Sequence, residues 1–188
     1  MTDKPIKSVL RLRKRHTPRD IVELGAQDGK RMVQDQSLRD ALLASLIVVI
    51  LFSILWAMLS TLSNRIFPWM TIVLGILVGL VIRRAGRGLD WRFPALAAAI
   101  TLLGALIGNV VVAAAFTAAV LDTSTFAVLG AVTSMTWPVF FDETISAADI
   151  IYALFAAATA AFYANKRLNR GEYLALRKWR ERDNGKRT

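Results

Sequence analysis

The sequence predicts an all-α integral membrane protein with four transmembrane helices and with both termini in the cytoplasm. Hydrophobic residues make up 55% of the 188 residues and charged residues 20%, which is more apolar sequence than a soluble domain of this length needs. The apolar residues gather in blocks after residue 40, whereas charge dominates the first 40 positions and those after 165. This segregation is typical of a polytopic membrane protein.

Four segments approach the roughly 20 apolar residues that are needed to cross about 30 Å of hydrocarbon. The predicted spans are 41–62, 67–82, 93–121 and 147–165. The second is short, but the arginines that follow it have long stems that reach the interface. The fourth is rich in alanine, which suits a helix packed against other helices. The resulting domains are a basic N-terminal region (1–40), a transmembrane domain (41–165) and a basic tail (166–188).

The segment between the third and fourth spans is apolar in its middle but is interrupted by small and polar residues. Gly130, Thr133, Ser134 and Pro138 break the apolar run. Because the apolar run from Phe126 to Met135 is too short to span the membrane, we expect the segment 126–141 to be interfacial, re-entrant or part of an interface.

The distribution of basic residues predicts the orientation. Of the 24 lysines and arginines, only Arg65 falls on the side opposite to the termini. The positive-inside rule therefore places both termini in the cytoplasm. No short apolar run followed by a cleavage site occurs near the start, so we expect no cleaved signal peptide and a first span that acts as a signal anchor.

A basic break, "VIRRAGRGLDWRFP" (81–94), separates the second and third spans. Its arginines are Arg83, Arg84, Arg87 and Arg92. We predict that they anchor the cytoplasmic turn of a helical hairpin, that Gly86 and Gly88 allow the turn, and that lipid phosphates are possible ligands. The run contains G-x-G without a third glycine, so a dinucleotide-binding fingerprint is rejected.

Two glycine pairs and one amide lie inside the predicted spans. Gly75 and Gly79 in "GILVG", and Gly104 and Gly108 in "GALIG", form small-xxx-small patterns that let helices approach closely. Asn109 is the one strongly polar side chain well inside the third span, and we expect it to form an interhelical hydrogen bond worth roughly 1 kcal/mol. The alternative is a polar path that includes Asn109.

Three acids lie on the predicted outer side. The carboxylates of Asp142, Glu143 and Asp149 could coordinate a hard cation, but we favour a solvated acidic loop. We also expect Ser146 to cap a helix that begins at Ala147.

The chain offers few residues for catalysis. It has no cysteine, and its one histidine, His16, lies in the basic N-terminal region. No phosphate-binding loop, HExxH motif or nucleophile elbow occurs. We therefore predict no catalytic residue, no metal ligand and no cofactor.

The terminal regions are strongly basic over Lys7 to Arg15 and Arg177 to Arg187. We expect them to bind anionic phospholipids, at about 1 kcal/mol for each basic residue close to the surface, and we expect no nucleic-acid partner. The stretch from Asp20 to Ser37 predicts a short amphipathic helix, with Thr17 as cap and Pro18 at the first position. This helix lies on the membrane, docks to a partner or is a solvated lead-in to the first span.

The order "GLVIRRAGRGLDWRFPALAAAITLLGALIGN", followed later by "DIIYALFAAATAAFYANKR", is similar to the membrane portion of a diffuse group of uncharacterised bacterial multi-pass inner-membrane proteins. The resemblance extends from Gly75 to Arg167. It implies the architecture and a bacterial inner membrane, and it implies no activity. Some members of that group carry a zinc-ribbon-like N-terminal module, which a chain without cysteine lacks.

These observations predict an accessory or scaffolding subunit of a larger membrane assembly, whose partner is another membrane protein or a second copy of the chain. One alternative is a small transporter or channel component with a polar path near Asn109. Another is a membrane-bound enzyme that uses the outer-side acids.

Overall fold

The computed structural model describes residues 24–131, 136–166 and 168–185. Within these ranges the chain is helical and contains no strand, which confirms the predicted all-α class. The helices are α1 (Ala26–Gln34), α2 (Leu38–Ser63), α3 (Met70–Gly86), α4 (Arg92–Val120), α5 (Thr125–Ala131), α6 (Trp137–Thr144), α7 (Ala147–Ala164) and α8 (Arg170–Asn184).

Three of these helices, α2, α4 and α7, are long and apolar enough to cross a membrane, with mean hydropathies of 2.8, 2.3 and 1.5 over their most apolar stretches. They correspond to the first, third and fourth predicted spans. The second predicted span becomes α3, which has 17 residues and is shorter than the others. The chain thus has the helices of a membrane protein.

The limits of α3 differ from the predicted span 67–82 at both ends. It begins at Met70, because residues 67–69 form a turn in which the Thr71 hydroxyl donates to the carbonyl of Pro68 (2.8 Å). It continues to Gly86, so Arg83 and Arg84 lie in its last helical turn and not in a loop. Cations in a last turn interact favourably with the negative end of the helix dipole.

Helices α2, α3, α4 and α7 form the bundle, with α3 packed on α7 and α2 packed on α4 as its most extensive contacts. Its centre is filled by fully buried side chains of three helices, among them Trp56, Leu74, Val78, Ile82 and Val112. Short helices α5 and α6, which replace the predicted single segment over 126–141, both contact α4. Thr133 and Ser134 lie outside the described residues.

The two terminal regions meet each other. Helix α1 packs on α8, at the end of the bundle where α2 begins and α3 ends. The region 166–188, which we predicted only as a basic tail, therefore contains a packed helix. In the described part of the predicted amphipathic stretch, residues 24–37, the helix covers Ala26–Gln34, whereas residues 20–23, Thr17 and Pro18 lie outside the described residues.

Candidate functional site

The arginine break forms the connection between α3 and α4. Arg84, Arg87 and Arg92 are exposed, whereas Arg83 is half-buried. Arg87 ends α3 in the left-handed conformation, with a φ of 47°, and its guanidinium lies 3.8 Å from the carboxylate of Asp35. Both side chains are mostly exposed, so this ion pair contributes little to stability.

Backbone hydrogen bonds attach this connection to the link between α1 and α2. The backbone N–H of Ser37 donates to the carbonyl of Gly86 (3.1 Å), and that of Leu89 donates to the side-chain oxygen of Gln36 (3.3 Å). The Ser37 hydroxyl also caps α2 by accepting from the N–H of Asp40. The start of α2 and the end of α3 are therefore held side by side.

Gly86 and Gly88 were predicted to allow the turn, but neither has a positive φ. Both lie against the buried ring of Phe93 instead. A Cβ at residue 86 would lie 2.5 Å from Phe93 Cε1 and 2.9 Å from the Cβ of Ala41, and one at residue 88 would overlap the ring itself. These glycines are required for the close approach of Phe93, and Arg87 makes the left-handed turn.

Helices α1 and α8 add further basic side chains at the same end. We call α1, α8 and the α3–α4 connection the basic platform. Its described lysines and arginines outside that connection are Lys30, Arg31, Arg170, Arg177, Lys178, Arg180 and Arg182, and Lys166 precedes α8. Some are paired, since Lys166 lies 3.7 Å from Glu172 and Arg177 donates to Glu181 (2.8 Å). The hydrogen bond to Glu181, aided by its charge, raises the pKa of Arg177 above its ordinary value.

The contact between α1 and α8 depends on a glycine. A Cβ at Gly29 would lie 2.5 Å from the carbonyl oxygen of Ala175 and 3.0 Å from the Cβ of Trp179. Helix α8 begins with a hydrogen bond from the N–H of Asn169 to the carboxylate of Glu172 (2.8 Å). This capping pair, with its residues three apart and an apolar stretch around Leu176 after it, is the sequence signal that would have predicted α8.

The first glycine pair lies between α3 and α7. A Cβ at Gly75 would overlap the carbonyl oxygen of Ala156, and a Cβ at Gly79 would lie 2.6 Å from that of Ala160. Because the two contacts advance together along both helices, α3 and α7 run parallel. Alanines on α7 complete this seam of small residues.

The second pair lies against α2. A Cβ at Gly104 would lie 3.0 Å from Val49 Cγ2, and one at Gly108 would lie 2.8 Å from Trp56 Cζ3. These contacts also advance together, so α2 and α4 run parallel, in the direction opposite to α3. The two glycine pairs therefore serve two different helix contacts.

Asn109 is 8% exposed, and no hydrogen bond joins its side chain to another residue in the part of the chain that the structure describes. The expected interhelical hydrogen bond is therefore not found there. Asn109 also does not line the cavity between α2, α4 and α5 that is described below.

The three outer-side acids are not brought together as a cation site. The Asp149 carboxylate accepts from the N–H (3.0 Å) and the hydroxyl (2.6 Å) of Ser146, and the Asp149 N–H donates back to that hydroxyl (3.3 Å). This reciprocal arrangement confirms Ser146 as the cap of α7. Asp142 is exposed, and the Glu143 side chain lies outside the described residues. Among the described residues, no three potential ligands form a metal-binding group.

A cavity of about 650 Å³ opens between α2, α4 and α5. It was not predicted, because no sequence pattern indicates how far apart the C-terminal halves of two helices lie. We call it the lateral groove, and its principal lining residues are Ile50, Ile54, Met58, Ile107, Val111 and Phe126.

In comparisons with protein-family models, curated proteins and solved structures, no match to this chain is found.

Proposed function

We propose that this chain is a four-span protein of a bacterial cytoplasmic membrane that acts as a non-catalytic accessory or scaffolding subunit of a larger membrane assembly. The four-span topology has both termini in the cytoplasm. Support comes from the apolar length of α2, α4 and α7, from the position of α1 and α8 at one end of the bundle, and from the charge distribution.

The observation that carries the scaffolding role is the pairing of α1 with α8. Helix α1 precedes the bundle helices in the chain and α8 follows them, yet the two pack together and form one surface. The hydrogen bond between Ser37 and Gly86 attaches the link after α1 to the end of α3. A subunit with this arrangement holds a charged cytoplasmic surface in a fixed orientation to the membrane. That is what a docking subunit requires.

The platform offers both charge and apolar contact area. Lys178 and Arg180 are exposed on α8, as are Tyr173 and Leu174, which are 58% and 46% exposed. Arginine and aromatic residues are enriched at the centres of protein interfaces, and basic residues also bind anionic phospholipids. We propose a membrane-protein partner that contacts α8, with anionic lipids around it.

Purification of the full chain in mild detergent, followed by native mass spectrometry, tests the proposal. We expect a stoichiometric complex with a second kind of subunit, which is lost when Lys178→Gln, Arg180→Gln and Arg182→Gln are combined. Arg65→Gln, at the opposite end of the bundle, is the control and leaves the complex intact. Recovery of the chain alone, or only as a homo-oligomer, would contradict the accessory role.

A further inference from the structure

The lateral groove lies along one half of the bundle. On α2 its lining residues run from Ile50 to Thr61, and on α4 from Ile107 to Ala119. At 1.5 Å per residue these stretches rise about 17 Å and about 18 Å. Since the hydrocarbon core of a bilayer is about 30 Å thick, the groove has close to the depth of one leaflet.

Both walls of the groove belong to helices that can span a membrane. Ile50, Ile54 and Met58 on one wall and Ile107 on the other are each more than half exposed. In a bilayer these side chains are in contact with hydrocarbon and not with water. The volume of about 650 Å³ lies within the roughly 300–1,000 Å³ that is usual for small-ligand sites.

Helix α5 closes one end of the groove. Phe126 and Leu129 of this helix line the cavity, together with the hydroxyl-bearing residues Thr123 and Thr125. The opposite end of the groove is lined mainly by Ile50, Ile54 and Ile107, and Ser53 is the one hydroxyl-bearing lining residue there. The hydroxyl-bearing lining residues are therefore concentrated at the end that α5 closes, where Thr61, Thr123 and Thr125 lie.

We propose that the lateral groove is a binding site for a phospholipid acyl chain, with the ester region of that lipid beside Thr123 and Thr125. A transmembrane helix fits less well for two reasons. It needs about 30 Å of contact, which is nearly twice the length of the groove, and it has to continue past the end that α5 closes. This inference depends on α2, α4 and α5 and is independent of the proposed scaffolding role of the platform.

The test uses the full chain in vesicles of phosphatidylethanolamine and phosphatidylglycerol. These contain a trace of phosphatidylethanolamine with a photoactivatable diazirine in the middle of one acyl chain, and the labelled residues are identified by mass spectrometry. Met58 and Leu55 form a matched pair on α2, with exposures of 57% and 59%, but only Met58 lines the groove. We expect Met58 to be labelled roughly tenfold more than Leu55, which corresponds to about 1.4 kcal/mol of preference.

A second comparison fills the groove. Ile107→Trp places a large ring in it, whereas Leu103→Trp places the same ring one turn away on α4, outside the lining. We expect Ile107→Trp to reduce the labelling of Met58 to the level of Leu55, and Leu103→Trp to leave it unchanged. If Ile107→Trp does not fold, the comparison of Met58 and Leu55 labelling in the wild-type protein still tests the proposal.

Equal labelling of Met58 and Leu55 in the wild-type protein would overturn the proposal, because it would show only the ordinary lipid layer around the bundle. If a photoactivatable amino acid at position 107 crosslinks to a second polypeptide and not to lipid, this would also overturn the proposal in favour of a helix as the occupant.

Discussion

Gly75 of α3 lies against the backbone of Ala156 in α7, so closely that a Cβ at residue 75 would come 3.1 Å from the Ala156 Cα and would overlap the carbonyl oxygen. A carbonyl inside a helix cannot move away without the rest of its helix. The distance between the two helices is therefore set by the absence of a side chain at this position.

Gly75→Ala should reduce the free energy of unfolding by about 1–3 kcal/mol, because the two helices have to separate to admit the methyl group. The measurement is unfolding by a denaturing detergent, followed by tryptophan fluorescence. Gly130→Ala is the control, because a Cβ at Gly130 would meet nothing within 4 Å. A stability loss as large for Gly130→Ala would show that the effect does not come from the α3–α7 contact.

Gly88→Ala should also be destabilising, by about 1–3 kcal/mol, because the new methyl group displaces the buried ring of Phe93.

Arg87→Gly should be neutral or stabilising, since it relieves a left-handed conformation that costs a non-glycine residue about 1 kcal/mol. The same unfolding assay compares the two variants. If Arg87→Gly proved the more damaging change, the explanation of the turn given above would be wrong.

Asn109→Leu should raise the free energy of unfolding by about 1 kcal/mol, because a buried amide without a hydrogen bond is costlier than an alkyl group of similar size. Equilibrium unfolding in detergent measures the change. A loss of stability would instead reveal a hydrogen bond that the amide makes in the membrane. It would bring back the alternative in which Asn109 belongs to a polar path.

Replacing Arg83, Arg84, Arg87 and Arg92 together with glutamine should disturb insertion or orientation, since the proposed topology relies on these residues to keep the α3–α4 connection in the cytoplasm under the positive-inside rule. Reporter enzymes fused after α3 and after α8, active on one side of the membrane only, measure the topology. Arg65→Gln should leave it unchanged. An unaltered topology in the fourfold variant would refute the anchoring role.

The sequence predicted the apolar helices well because hydrocarbon imposes a length and a composition that can be read residue by residue. The predicted spans 93–121 and 147–165 agree with α4 and α7 to within one residue at each end. The prediction for α3 was less accurate at its C-terminal end, because Arg83 and Arg84 were treated as a boundary. Long arginine side chains reach the interface from inside a helix, so charge does not mark where the helix ends.

The parts that depend on contacts between distant segments were not predicted. The pattern of glycines indicated close helix contacts, but not that Gly75 faces α7 while Gly108 faces α2. Gly29 of α1 packs against Ala175 of α8. The local sequence of each helix predicts a helix, but neither sequence indicates that the other helix is its packing partner. The lateral groove is likewise a property of spacing between helices and is invisible in either helix alone.

The contact between α1 and α8 also constrains how the protein is made. Helix α1 leaves the ribosome before any of the bundle helices, yet the surface against which it packs is translated after all of them. At roughly 5–20 residues per second, α1 waits on the order of ten seconds without its partner. During that interval its apolar face is open to the membrane surface or to a chaperone. The contact between α1 and α8 can therefore form only after all of the bundle helices have been synthesised.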